Sequence, residues 1–205
     1  SSTEQVNTND SIRKTLDKLL EPICKNNNIE RDSLKIHIVE KDDINAFALP
    51  NNHLVVYTGL ITECKNQEAL QGVLGHEIAH ITNNHVMKKL SKEIGLSVML
   101  SASTGGKGSA VVKEILKSLS SSAYDRTLEK EADMTSVDYL LNANINPEPF
   151  ADFMFELSQQ NDSSDSLYWI SSHPESEERA KYILDYLKDK KYKKQNTISK
   201  TDWEN

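Results

Sequence analysis

The stretch that decides the fold is residues 71–85, whose sequence is QGVLGHEIAHITNNH. From Leu70 onward its apolar residues recur at steps of three and four, which is the period of one buried face of an α-helix. The pattern therefore predicts a helix through this stretch. Gly72 and Gly75 precede its polar centre, and two glycines there would let another part of the chain approach closely.

The polar centre of this helix holds His76, Glu77 and His80. The histidines are four residues apart, so both side chains project from one side of the helix, one turn apart. Two imidazoles placed in this way can occupy neighbouring corners of a tetrahedral zinc site. Glu77 lies off their line but can reach a water on the metal, which is the H-E-x-x-H arrangement of two ligands and a general base. The alternative is an amphipathic helix with two polar residues on its edge, although burying unpartnered imidazoles is unfavourable.

A catalytic zinc site with one open position needs a third protein ligand. The sixth residue after His80 is Val86, which excludes a compact arrangement of three histidines. His85 is turned about 140° from His80 on a continuous helix and is expected to be a surface or packing histidine. Glu129 and Asp133 are four residues apart on a predicted helix, so one could bind the metal while the other accepts a hydrogen bond from a ligating imidazole. The alternative for this run is a solvated acidic helix face.

Four motifs together resemble the gluzincin metallopeptidases, in the group that contains the CAAX prenyl proteases, the HtpX-like proteases and the soluble minigluzincins. In chain order they are residues 45–50 (NAFALP), His76 to His80, Glu129 to Asp133, and His173-Pro174 followed by Arg179. The resemblance implies that Glu129 is the third ligand of one Zn²⁺ per chain and that Asp133 orients a ligating imidazole. Glu131 lies at a position that varies in the family and is left outside the predicted site.

The resemblance also makes His173 a residue of the active-site cleft, with two roles open. It could donate to the carbonyl oxygen as negative charge develops there, or it could fill the open position of zinc as a neutral imidazole and keep the enzyme latent. A histidine that only ends a helix is the third alternative. Arg179 would anchor this segment, for example by pairing with a carboxylate near the site.

The same resemblance makes Asn45, Ala46 and Phe47 an edge strand above the cleft. An edge strand has unpaired N–H and C=O groups, so an extended peptide could add to it as a further strand. The alternative is an edge strand that only caps the sheet.

Composition limits the size of the fold and the choice of partners. The 205 residues suffice for one domain with a sizeable core, and the net charge of −7 argues against a nucleic-acid partner and a basic membrane-binding surface. No apolar run approaches the length of about 18 residues that a transmembrane helix needs. Cys24 and Cys64 could pair in an exported protein, but two buried thiols are the expected state. The start at Ser1 and the family likeness favour a periplasmic or otherwise extracytoplasmic product from which an N-terminal segment has been removed.

Periodicity outside these motifs predicts most of the remaining elements. We expect an amphipathic helix over residues 11–25, a strand over 34–39, and a hairpin of 46–49 with 54–57 around Pro50-Asn51-Asn52, since asparagine tolerates positive φ. Further helices are expected over 86–100 and 111–119 and after Asn146-Pro147. The Gly- and Ser-rich residues 101–109 are expected to form an ordinary loop, with a mobile flap near the cleft as the alternative.

We therefore expect a mostly helical, zincin-like α+β domain over residues 10–190, with a small antiparallel sheet of about three strands over the H-E-x-x-H helix. Residues 1–9 are expected to be flexible, and residues 191–205 to form a polar, poorly ordered tail. The predicted function is that of a zinc metalloendopeptidase acting on unfolded or extended polypeptides, with Glu77 as general base and His173 as a further catalytic residue. The alternative is a zinc-stabilised protein-binding or chaperone-like module with a masked protease site. Oligomeric state is left open.

Overall fold

The computed structural model of the protein describes residues 5–6, 10–93, 119, 123–159, 168–174, 176–192 and 197–204. The expected loop or flap over 101–109 lies outside these residues, and so does the helix expected over 111–119 apart from Leu119. In the described part of the chain, no helix combines the length and the hydropathy that crossing a bilayer would require.

Within the described residues, four strands form one sheet in the order β1-β2-β4-β3. The strands are β1 (Gln5–Val6), β2 (Lys35–Glu40), β3 (Ala46–Leu49) and β4 (His53–Tyr57). β3 and β4 form the predicted antiparallel hairpin, and its turn places Asn51 and Asn52 at φ angles of 60° and 61°. Asparagine accommodates these positive φ angles at little cost, as predicted.

The sheet is mixed rather than antiparallel, and it has one strand more than expected. β1 pairs antiparallel with β2, but β2 and β4 run parallel. The second strand of the hairpin, β4, lies between β2 and β3, with Leu54 and Val56 fully buried, so β3 is left at the edge of the sheet.

Two helices flank the sheet at the start of the chain, α1 (Asp10–Asn26) and α2 (Thr58–Glu63). The predicted face of α1 is buried, namely Leu16, Leu19, Leu20 and Ile23. Cys24 and Cys64 both have free thiols buried in the main core, which confirms the expectation of unpaired, buried cysteines.

The central helix is α3 (Gln67–Thr82), which is capped by the side chain of Asn66 and buried at every position from 67 to 80. It packs against α5 (Arg126–Asn142) and α6 (Glu148–Gln159), while α4 (His85–Glu93) follows it in the chain. A Cβ atom on Gly72 would lie 2.3 Å from the Cβ of Phe150, and one on Gly75 would lie 2.7 Å from the Oγ of Ser136. The two glycines therefore permit the close approach that the sequence predicts.

The chain ends with α7 (Tyr168–Ser172), α8 (Ser176–Leu187) and α9 (Lys200–Glu204). The buried side chain of Gln67 donates to the carbonyl of Ile198 (2.8 Å) and accepts from the backbone N–H groups of Thr197 (2.9 Å) and Ile198 (2.8 Å). A buried amide needs such partners. Residues 197 and 198 are thus joined to α3, and Val6 pairs with β2. The expected boundaries of the domain and its two ends stay predictions.

Candidate active site

The imidazoles of His76 and His80 project from one side of α3, and both are completely buried. Their Nε2 atoms are 2.9 Å apart. Burial, with the neighbouring His76 as the second cause, lowers the pKa of His80 to about 3. His80 is therefore neutral at pH 7, which is the form of imidazole that binds a metal.

The carboxylate of Glu129 comes from α5 and faces these two nitrogens. Its Oε1 lies 3.4 Å from Nε2 of His80, and its Oε2 lies 3.7 Å from Nε2 of His76. Burial opposes ionisation of Glu129, but His173 and Arg179 outweigh it and hold its pKa well below the usual value. A carboxylate thus completes a set of three potential ligands contributed by two helices.

Nδ1 of His173 joins the same cluster from the segment that follows α7. It lies 3.1 Å from Nε2 of His76 and 2.9 Å from Oε1 of Glu129. The potential ligand atoms of these three residues and His80 all lie within 4.8 Å of one another. Burial disfavours a charge on His173, but Glu129 and Glu77 outweigh it and raise its pKa to about 9.

This donor set fits a zinc ion. Ligand atoms at about 2.0–2.2 Å from a tetrahedral metal are separated from one another by about 3.4 Å. The separations from His76 to His80 and Glu129, 2.9 and 3.7 Å, bracket that value. Two histidines and a glutamate are also a ligand set typical of catalytic zinc, with a fourth position left for water or substrate.

Glu77 is completely buried beside this cluster. Its Oε2 accepts from the backbone N–H of Ala48 in β3 (3.1 Å), and its Oε1 accepts from the indole N–H of Trp169 (3.3 Å). Nε2 of His173 lies 3.2 Å from the same Oε1. Burial alone would raise the pKa of Glu77, but His173 outweighs it and the pKa falls to about 2.

Asp133 and Arg179 lie together behind His76. Oδ1 of Asp133 is 2.8 Å from Nδ1 of His76, and Arg179 donates to both oxygens of Asp133, from Nε (2.8 Å) and Nη2 (2.7 Å). The hydroxyl of Tyr182 donates to Asp133 as well. Nη1 of Arg179 also donates to the carbonyl of His173 (2.9 Å), so the arginine connects the carboxylate to the segment that carries His173.

The edge-strand residues Asn45, Ala46 and Phe47 are buried, and β3 is the outer strand beside β4 in the described sheet. β3 contacts α3 directly. The residue of this strand that touches the predicted site is Ala48, through its bond to Glu77, and it was not among the predicted site residues. The sequence contains no signal for this contact, because it depends on how the sheet lies on the helix.

His85 was expected at the surface or in packing, and it is a completely buried packing residue. His85 does not continue the helix that carries His80, because α3 ends at Thr82 and Asn84 has a φ of 58°, so the chain turns before α4 begins. Nδ1 of His85 lies 3.1 Å from Nδ1 of His80, and its Nε2 lies 3.2 Å from Oε2 of Glu131. Burial, opposed by Glu131, lowers the pKa of His85.

Two aromatic side chains also line the cluster without any signal in the sequence. Tyr124 stacks on the ring of His80, with centroids 4.0 Å apart, and on that of His173 at 5.6 Å. The ring of Trp169 lies 5.0 Å from that of His173, four residues along the chain. These rings surround the imidazoles with apolar surface.

The fold and this site define a zincin-like metalloprotease, in which an H-E-x-x-H helix and a glutamate from a second helix converge under the edge of a sheet. The chain matches the description "Peptidase family M48" over residues 9–187. It belongs to that family.

Three relatives illustrate the range of similarity. The chain is 31% identical over 167 residues to metalloendopeptidase OMA1, mitochondrial, of Bos taurus, covering 72% of this chain and 31% of the relative. It is 30% identical over 167 residues to metalloprotease LoiP of Escherichia coli (strain K12), covering 78% and 66%. It is 25% identical over 150 residues to the beta-barrel assembly-enhancing protease of Yersinia pestis, covering 67% and 31%. The chain therefore spans between about a third and two thirds of the length of these relatives.

These similarities confirm the likeness to the HtpX-like gluzincin group, and the fold confirms a mostly helical, single-domain α+β architecture. The chain is a metalloprotease domain, hence a hydrolase, and zinc is its metal.

Proposed function

We propose that the protein is a zinc-dependent endopeptidase in which His76, His80 and Glu129 hold the metal. The observation that carries the proposal is the convergence of these three side chains on one buried point, with the carboxylate of Glu77 at its edge. When bound, zinc supplies a Lewis acid that polarises the scissile carbonyl and makes water a nucleophile at neutral pH.

Glu77 acts as the general base in this mechanism. It is ionised, since its pKa is about 2, so it can accept a proton from the attacking water and then deliver that proton to the departing amine nitrogen. The N–H groups of Ala48 and Trp169 hold its two oxygens and so define where the carboxylate points. Oδ1 of Asp133, 2.8 Å from Nδ1 of His76, is the acceptor that we assign to the hydrogen of this nitrogen, which leaves Nε2 of His76 free to bind the metal.

The substrate is an unfolded or extended polypeptide segment that pairs with β3. The carbonyl of Asn45 accepts from the N–H of Tyr57 in β4 (3.0 Å), and main-chain groups alternate in direction along an antiparallel strand. Phe47 therefore also faces β4, while Ala46 and Ala48 direct their main-chain groups to the edge of β3 with which no described strand pairs. The contact between the Ala48 N–H and Glu77 supports this direction. Recognition through main-chain groups predicts loose sequence preference.

The test uses an unfolded casein-type substrate with and without phenanthroline. We expect internal cleavage that the chelator abolishes and that zinc restores. Substrates with blocked termini should be cleaved equally well, because nothing in the described site anchors a terminal amine. Stoichiometric binding without products would favour the binding or chaperone-like module instead, and dependence on a free terminus would favour an exopeptidase.

One observation supports a latent form of the same protease. His173 places Nδ1 among the potential ligand atoms, so it could occupy the fourth position of zinc and mask the site. The alternative role, donation to the developing oxyanion, needs His173 to move away from the metal and towards the substrate. His173→Ala separates the two: cleavage rises if the histidine masks the site and falls if it assists the reaction.

We also propose a periplasmic or otherwise extracytoplasmic location, supported by the likeness to the gluzincin group. Fractionation of cells that produce the natural full-length protein tests it, and recovery of the protein with cytoplasmic markers would contradict it.

A further inference from the structure

Each metal-facing imidazole of α3 has a second nitrogen that points away from the cluster. Nε2 of His80 faces Glu129 at 3.4 Å, so its Nδ1 must find a partner elsewhere. That partner is Nδ1 of His85 at 3.1 Å, and Nε2 of His85 in turn lies 3.2 Å from Glu131. The three side chains form a continuous row that starts at the cluster and ends at the surface, where the side chain of Glu131 is 50% exposed.

We propose that His85 and Glu131 are positioning residues that fix the ring of His80 for metal binding. This inference rests on the proposed function, because it takes His80 as a zinc ligand. When Nε2 of His80 gives its lone pair to the metal, Nδ1 carries the hydrogen. That hydrogen needs an acceptor, and only a His85 that is unprotonated at Nδ1 provides one. His85 then carries its own hydrogen on Nε2 and donates it to Glu131.

Glu131 therefore selects the tautomer of His85, and His85 selects the tautomer and the orientation of His80. Glu131 lies two residues from Glu129 on the same helix, so α5 supplies both a metal ligand and the end of this row. His85 reaches the row because the positive φ of Asn84 turns the chain back after α3. Partners of metal ligands of this kind typically change metal affinity by about 10–100-fold when they are removed.

The test measures the affinity of the protein for Zn²⁺ by competition with a chromophoric chelator. We expect Glu131→Ala and His85→Ala each to weaken zinc binding about tenfold, and the double variant to be no weaker than His85→Ala alone, because both act through one row. Glu156→Ala is the matched control, since it removes the same charge from a side chain of similar exposure (45%), which pairs with Lys65. Because Glu131 is solvent-accessible, the Glu131→Ala variant should fold even if the His85→Ala variant does not. A loss below about threefold in Glu131→Ala would overturn the proposal.

A second measurement separates positioning from packing. Long-range ¹H–¹⁵N correlation spectra of the zinc-loaded protein report which ring nitrogen carries the proton, and we expect the hydrogen on Nδ1 of His80 and on Nε2 of His85. A proton on Nδ1 of His85 would overturn the proposal. His85→Asn places an amide oxygen near the former Nδ1 and should recover zinc affinity relative to His85→Ala, whereas a purely structural role predicts no such recovery.

The outcomes also distinguish this inference from the proposed function. If His80→Ala abolishes zinc binding while Glu131→Ala leaves it unchanged, only the positioning role fails. If His80→Ala itself leaves zinc affinity unchanged, the proposed ligand set fails, and the role of His85 and Glu131 fails with it.

Discussion

The two imidazoles of α3 face one cluster, but the regions behind them differ in kind. Behind His76 lies a completely buried carboxylate, Asp133, whose charge is balanced by Arg179. Behind His80 lies the neutral ring of His85. The hydrogen of that ring needs an acceptor in turn, and the half-exposed Glu131 provides it. An acceptor for Nδ1–H can therefore come from a buried ion pair, which is costly to break, or from a neutral ring whose own charged partner stays in water.

The largest expected effect concerns Glu77, which lies in neither of these two regions. Glu77→Gln should lower kcat about 10²–10⁴-fold, because it removes the proposed general base. It should leave zinc affinity unchanged, because the side chains behind both imidazoles remain. Cleavage of casein and chelator competition measure the two quantities. Glu68→Gln on the same helix is the control and should retain activity. An active Glu77→Gln enzyme would refute the role of Glu77.

Asp133→Asn tests the buried region behind His76. Among these variants it should show most clearly how that region differs from the partly exposed one behind His80. We expect about 10–100-fold weaker zinc binding and a loss of about 3 kcal/mol in the free energy of unfolding, because the buried Arg179 loses the charge of Asp133 and keeps that of Glu129, 2.9 Å away. Glu131→Ala should change that free energy by less than about 0.5 kcal/mol. Urea denaturation of the two variants measures the contrast, and equal losses would show that the two regions do not differ as described.

The third effect concerns the charge on His173, which lies on the cluster side of the two imidazoles of α3. Glu129 and Glu77 raise its folded-state pKa from 6.5 to about 9, so its stabilising contribution is complete below pH 6.5 and is lost as pH rises through 9. The Tm of the chelator-treated protein should therefore fall by a few degrees between these pH values, since about 1 kcal/mol shifts Tm by about 2–4 °C in a domain of this size. His173→Gln should flatten the curve, and a Tm that rises over this range would contradict the assignment.

The smallest effects concern the helix contacts that hold both regions in place. Gly72→Ala should cost about 1–2 kcal/mol, because the overlap with the Cβ of Phe150 at 2.3 Å outweighs the better helix propensity of alanine. Gly75→Ala should cost less, about 1 kcal/mol, since it meets a hydroxyl, that of Ser136, whose displacement breaks one hydrogen bond, to the carbonyl of Gly72 (2.8 Å). Thermal unfolding of both variants measures the difference. A reversed order would show that α6 accommodates an added methyl group more easily than α5 does.

Local patterns predicted those parts of the protein that lie within a few residues of one another. The period of α3 and the spacing of His76 and His80 follow from helix geometry alone, and so does the pairing of Glu129 with Asp133 on α5. The turn at Asn51 and Asn52 follows from the tolerance of asparagine for positive φ. The resemblance to a family then joined these pieces into one site, which their separation in the chain could not do.

The sequence by itself determined that one helix would carry two imidazoles on one side and a carboxylate beside them, because side-chain direction on a helix depends only on residue spacing. Tertiary structure alone decided what stands behind each imidazole, since the position of His85 depends on one backbone angle at Asn84. It also decided that β4 rather than β3 lies beside β2, and that Ala48 and Trp169 hold Glu77. Such contacts join residues distant in the chain, and no local periodicity encodes them.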